Sequence, residues 1–254
     1  RYGLTGGYAC NNGYRAGSII QFVLTAGHVI SRPLWKQVNG GKISRTQEEG
    51  AENGTVKALG LFQTMKIKGV PLVMAAFFSY CALEQTTMLW ASSYMVQHRG
   101  IDVNLAAGYS ALFFFGITFG RFLGGFAADW LGDRGLVRIG IATIVVGLIL
   151  VAAPVKTNML VLAGLVVVGF GCAPVYPAII HATPYNFGRE NSQSIIGVQM
   201  ASAYIGTTFM PPLFGLMASR INISSFPYYI LILTVLLFVM SEKLNRTVDR
   251  RRNR

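Results

Sequence analysis

Charge is what this sequence has least of. Only 13% of its 254 residues are Asp, Glu, Lys or Arg, about half of the ~25% that a soluble domain carries. Cysteine is scarce too: Cys10, Cys81 and Cys172 lie far apart and follow no metal or redox spacing, so they read as unpaired thiols used as small apolar residues. No Gly-x-x-x-x-Gly-Lys-Ser/Thr pattern is present, which argues against a phosphate cradle. Val23 to His28, VLTAGH, resembles the histidine segment of trypsin-like proteases, but no Gly-Asp-Ser-Gly accompanies it, and that chemistry requires a nucleophilic serine with an oxyanion hole. No enzyme, metal or cofactor is therefore expected. The chain also opens on Arg1 with no basic leader and no small-residue cleavage site, and it reads as a fragment that has lost its beginning.

What is abundant is apolar length. The composition is 52% hydrophobic and the mean hydropathy is +0.47. A helix needs about 20 mostly apolar residues to cross a bilayer, and seven such runs are predicted, near 14–34, 70–96, 103–127, 137–155, 159–182, 194–218 and 227–244. The fold class is all-α, a polytopic membrane helical bundle. Pro174 and Pro177 break the fifth span, and Pro211 and Pro212 lie in the sixth. Proline inside a spanning helix frees backbone carbonyls that neighbours must satisfy. One long hydrophilic connection, 36–68, separates the first span from the rest. Its final part puts Val56, Leu59, Phe62 and Met65 on one face, as an interfacial helix would.

The net charge of +12 is unevenly spread, which points to membrane topology rather than nucleic acid. Lys36, Lys42, Lys66, Lys68, Arg134, Arg138, Arg189 and the basic tail 246–254 fall on one side, and only Arg1, Arg15, Arg99, Lys156 and Arg220 on the other. The richer side is expected to be cytoplasmic, with the C-terminus inside a plasma (inner) membrane. Gly108, Gly116, Gly120 and Gly124 strip one face of the third span, and Gly164, Gly169 and Gly171 recur in the fifth. Small residues at such spacing let helices approach closely in lipid.

Glu84 is the one carboxylate deep within a span. Ionisable groups there face a cavity or a partner, and are functional by default. Helical spacing aligns Tyr80, Glu84, Thr87 and Tyr94, with Gln85 and Trp90 alongside, a set suited to a polar ligand such as a sugar, or to a proton on Glu84. A structural hydrogen bond between helices is the alternative. Asn104, Tyr109, Tyr176, Gln199 and Tyr204 are further candidates, each explained as well by polar contacts between helices.

Between the third and fourth spans lies GRFLGGFAADWLGDR, 120–134. Its Gly125-Phe126-Ala127-Ala128-Asp129, Gly132 and Arg134 resemble the signature loop of the major facilitator superfamily, departing from it at Trp130 and Asp133, where the family usually has basic residues. The resemblance implies that residues 1–35 are the remnant of an N-terminal half, 36–68 the cytoplasmic linker, and 69–245 the C-terminal six-helix bundle. The acid at Glu84, the Pro174–Pro177 bend and the loop at 186–192 resemble the fucose-permease-like branch. It further implies secondary transport of a small polar solute by alternating access, with protons as candidate co-substrate and the missing half as partner. Gly120, Arg121, Gly125, Asp129, Gly132 and Arg134 would form the cytoplasmic gate, Asp129 pairing with Arg134, with Arg121 or with a helix N-terminus. Multidrug efflux and a non-transporting membrane sensor are the competing expectations.

Overall fold

The computed structural model describes residues 60–154 and 158–252, together with Phe22 and Thr25. The chain divides into two units, Arg1–Lys57 and Ala58–Arg254, and the described helices between residues 61 and 252 all belong to the second. The span expected at 14–34 and most of the 36–68 connection lie outside the described residues, as do the side chains of Tyr109 and Ser110.

Every regular element among the described residues is a helix. The expected interfacial segment contributes only a five-residue helix, α1 (Leu61–Met65), with Phe62 and Met65 exposed and Thr64 buried. Helix α2 (Val70–Arg99) follows a sharp entry at Gly69, whose φ of 101° favours glycine, and ends at Gly100 with φ 66°. At that end the Gly100 and Ile101 amides donate back to the Val96 and Met95 carbonyls, the left-handed cap that commonly closes a helix.

Helix α3 (Val103–Ala152) starts on Asp102, whose carboxylate accepts from the Asn104 and Leu105 amides at 2.9 and 3.3 Å. It is 50 residues long, about 75 Å if straight, more than twice a ~30 Å hydrocarbon core. The sequence predicts a loop across 128–136; the break is instead a single residue, Gly132, at φ 62° and ψ 170°. Helix α4 (Asn158–Cys172) shows that the chain reverses there. Gly169 packs on Phe113, Gly116 on Val166 and Phe170, and Gly120 on Phe170 and Ala173. Those contacts rise together in number, so α4 runs parallel to the first half of α3. Gly140 packs on Gly171, and Gly147 on Gly164 and Val168, the opposite register, so the second half is antiparallel.

Glycines therefore fill both faces of α4, as their spacing predicts, although Gly108 has open space around it and Gly124 only ordinary contact with Pro174. The turn at Ala173 and Pro174 separates α4 from α5 (Val175–Phe187), which places the expected proline break. Together they form one stretch of 30 residues long and apolar enough to span a bilayer, as do α2, α3 and the last helix. Helix α6 (Arg189–Arg220) is less apolar than α2 to α5 and carries Pro211 and Pro212. Around that turn Trp90 Nε1 donates to the Pro211 carbonyl at 3.0 Å and Tyr229 Oη to that of Met210 at 2.9 Å, tying α6 to α2 and to the last helix.

Helix α7 (Phe226–Arg252) corrects an expected boundary. The basic tail predicted from residue 246 is not a separate element: the helix continues through it to Arg252. Its carboxylates explain why. Arg138 binds Glu242 in two-pronged fashion at 2.6 and 2.9 Å, and Arg134 binds Asp249 likewise at 2.9 and 2.7 Å. Arg251 donates to the Lys68 carbonyl at 2.5 Å, and Arg252 bonds the Tyr185 hydroxyl. Exposed pairs contribute about 0.2–1 kcal/mol each. Arg138→Ala is expected to lower Tm by about 2–4 °C for a loss near 1 kcal/mol in a chain of this size. A double-mutant cycle with Glu242→Ala checks it: equal losses from the single and double variants mark a real coupling, and additive losses do not.

Candidate functional site

A cavity of about 900 Å³ opens between α2, α3, the α4–α5 turn and α6. From α2 it takes Cys81, Glu84 and Gln85, from α3 Arg121, Gly125, Asp129 and Asp133, from α5 Tyr176 and His181, and from α6 Thr207. Glu84 stands halfway along α2, where a spanning helix crosses the middle of the hydrocarbon. Opposite it is Arg121, with Nη2 at 4.0 Å from Glu84 Oε1. That is too long for a hydrogen bond, so the pair is held by charge alone. Glu84 is 19% exposed and Arg121 56%, so the acid is largely enclosed and the guanidinium leans into the cavity.

Glycine makes this geometry possible. A Cβ at Gly120 would lie 2.6 Å from Ala173 Cβ and 2.9 Å from the Phe170 carbonyl. Its absence lets α3 close on the α4–α5 turn just where Arg121 branches off. Tyr176 hangs from the same turn; its ring lies 5.1 Å from Phe77 and 6.3 Å from Tyr80, and its hydroxyl contacts Met200 Sδ at 3.6 Å. The Tyr80 hydroxyl is fully buried with no hydrogen-bond partner among the described residues, yet it is close enough to the Glu84 carboxyl to interact with it.

Of the residues singled out in the sequence, Glu84, Gln85, Tyr176, Arg121, Gly125, Asp129 and Gly132 meet at this cavity. The others do not. Thr87 donates to its own helix at Leu83, 2.7 Å away. Trp90 packs on Phe214 and Gly215. Tyr94 donates to the Val151 carbonyl at 3.3 Å and lies against His98 and Phe226. Gln199 is buried and exchanges hydrogen bonds with Thr183 at 3.1 and 3.3 Å. Asn104 is exposed in the first turn of α3, its amide bound by Asp102, and Tyr204 is exposed on α6. The α2 stripe divides because a 30-residue helix meets different neighbours along its length: α3 and the α4–α5 turn at Glu84, α6 at Trp90, and α7 at Tyr94.

The expected partners of Asp129 are engaged elsewhere. Arg134 holds Asp249 and Arg121 holds Glu84, and Asp129 has no ion pair among the described residues. The reversal at Gly132 is the reason, since it carries Arg134 toward α7 and leaves Asp129 on the cavity side. Gly125 has nothing within 4 Å of where a Cβ would be, so it makes no close helix contact. Sequence reasoning missed His181, whose Nδ1 lies 3.0 Å from both Asp133 oxygens at the cavity rim. Its signal was a lone polar side chain in the apolar run Ile179-Ile180-His181-Ala182.

A family model described as Major Facilitator Superfamily matches residues 6–252, nearly the whole chain. No curated protein matches it.

Proposed function

The chain belongs to the major facilitator superfamily, a family of secondary membrane transporters, and from that premise we propose that it carries a small polar solute across the membrane together with protons. The observation that supports this reading is the pairing of Glu84 and Arg121, 4.0 Å apart, in the lining of a cavity of about 900 Å³ at mid-helix depth. Ionisable groups in that position are costly to insert and mark solute or proton pathways. Transporters of this architecture hold their ligand near the midplane and expose it alternately to the two sides. Gln85, Tyr176 and Thr207 supply neutral hydrogen-bonding groups for a hydroxyl-bearing solute such as a sugar. The charged end of the bundle, with Arg134, Arg138, Glu242 and Asp249, is assigned to the cytoplasmic face. The N-terminal half of the transporter would complete the opposite wall of the cavity.

Reconstituting the full-length encoded protein in liposomes tests the reading. An inward proton gradient is expected to drive solute above its outside concentration, and a protonophore to collapse the accumulation. A protein that exchanges no polar solute under any gradient is not such a transporter. Asp129, on the cavity wall without an ion pair among the described residues, is assigned to the gate, taking a partner only when the cytoplasmic end closes. Asp129→Asn is expected to slow uptake about tenfold, the equivalent of about 1.4 kcal/mol, with expression unchanged. Unaltered uptake kinetics would remove Asp129 from the gate.

A further inference from the structure

We propose that the solute is a hydroxylated monocarboxylate, whose carboxylate takes the place of Glu84 at the Arg121 guanidinium while Glu84 takes up a proton. The proposal rests on the transporter reading above and names the substrate class of the same cavity. The arginines of this chain provide the comparison. Arg134 and Arg138 each grip a carboxylate with two nitrogens at 2.6 to 2.9 Å, the fork geometry that matches guanidinium to carboxylate. Arg121 has one contact with one oxygen at 4.0 Å. Its fork lines the cavity and is otherwise unfilled among the described residues. A ligand carboxylate completes it.

The surrounding charge selects the ligand class. Glu84, Asp129 and Asp133 line the same cavity as Arg121 and His181. A dianion such as a phosphate monoester would meet three carboxylates with one permanent cation, whereas a monoanion is neutralised by Arg121 alone. Gln85, Tyr176 and Thr207 then face the uncharged part of the ligand, which favours hydroxyl groups on it over a purely apolar chain.

Charge balance constrains the cycle. In the absence of solute the Glu84 carboxylate and the Arg121 guanidinium form a pair of net zero charge. When the solute carboxylate binds Arg121, Glu84 is left enclosed without its cation, and in a low dielectric an unpaired carboxylate takes a proton. Anion and proton arrive together, no bond to carbon forms or breaks, and the charge of the site is unchanged throughout. The groups acting on Glu84 are Tyr80 of its own helix and Arg121 of α3; Glu84 in turn acts on Cys81, Cys172 and Tyr176. Arg121 is the only cation among them, so its occupation by the solute decides the charge of Glu84.

The test uses counterflow by the full-length protein in liposomes, with gluconate and lactate as carboxylate probes and glucose as the neutral one. Gluconate is expected to exchange, lactate to compete more weakly, and glucose to have no effect. Arg121→Gln should weaken gluconate binding at least tenfold, and Arg121→Lys, which keeps the charge but loses the fork, should recover part of it. Thermal stability of each variant in detergent, with and without gluconate, separates a lost site from a lost fold. If glucose exchanges and gluconate neither exchanges nor competes, the carboxylate assignment is wrong and the transporter reading stands. If Arg121→Gln folds and binds gluconate as the parent does, Arg121 is not the anchor. If none of the three probes is exchanged or bound, the proposal fails, and exchange of any other polar solute shows whether the transporter reading fails with it.

Discussion

Glu84→Gln is expected to abolish uphill transport while leaving downhill exchange of solute intact. Glutamine keeps the volume and hydrogen-bonding shape of the side chain but carries no titratable proton, so solute can bind and cross without a proton being obliged to accompany it. Obligatory one-to-one coupling sustains about a tenfold gradient per pH unit, the free energy of one proton across that step. Without coupling the gradient falls to unity. The measurement is accumulation ratio against imposed pH difference, for parent and variant in the same liposomes. A variant that still accumulates solute with the parent's pH dependence places the coupling carboxyl elsewhere. A variant that keeps coupling but binds the solute more weakly makes Glu84 a binding group only. The substitution should not unfold the bundle, because Glu84 reaches Arg121 across 4.0 Å and helix packing rests on other residues.

Gly169→Ala is expected to be the most damaging substitution of a single methyl group. The added Cβ would stand 2.2 Å from the Phe113 carbonyl oxygen and 3.2 Å from the Ile117 amide nitrogen. Both obstacles are backbone, so no side chain can swing aside and two helices must part. Overpacking of this kind costs about 1–3 kcal/mol, occasionally more, and here it separates α3 from α4 along the wall that carries Arg121. Gly197→Ala is the control: nothing lies within 4 Å of that position, and alanine is about 1 kcal/mol better than glycine within a helix. Heating both variants in detergent and following the reaction of buried Cys81 and Cys172 with a thiol reagent reads the difference. The first should expose its cysteines at markedly lower temperature than the parent, and the second at the same temperature or higher. Equal midpoints for Gly169→Ala and the parent would mean that α3 and α4 are not so closely apposed.

Glu84, Arg121 and the glycines of α4 show how far a sequence reaches in such a molecule. A carboxylate amid apolar residues announces itself without a structure, since each unit of charge removed from water needs a reason. Regularly spaced glycines announce a close approach, although they do not say to which helix. Gly164 and Gly171 turned out to serve the second half of α3, and Gly169 the first half. The stripe through Thr87 and Tyr94, with Trp90 alongside, was equally visible, but it lies outside the cavity instead of lining it, Thr87 bonded within its own helix and Trp90 and Tyr94 to other helices.

The order of the helices from residue 70 onward, their breaks near Gly132 and Pro174, and the depth of Glu84 follow from the chain alone. Hydrocarbon length, proline and glycine geometry, and the cost of buried charge act within one segment at a time. Which groups become partners was decided by tertiary structure. Arg121 met Glu84 and not Asp129, Arg134 reached Asp249, His181 came to Asp133, and the basic tail became the last turns of α7. Helical periodicity fixes the face on which a side chain stands. The residue opposite depends on the crossing and register of helices far apart in sequence, and those are set by how their surfaces pack together.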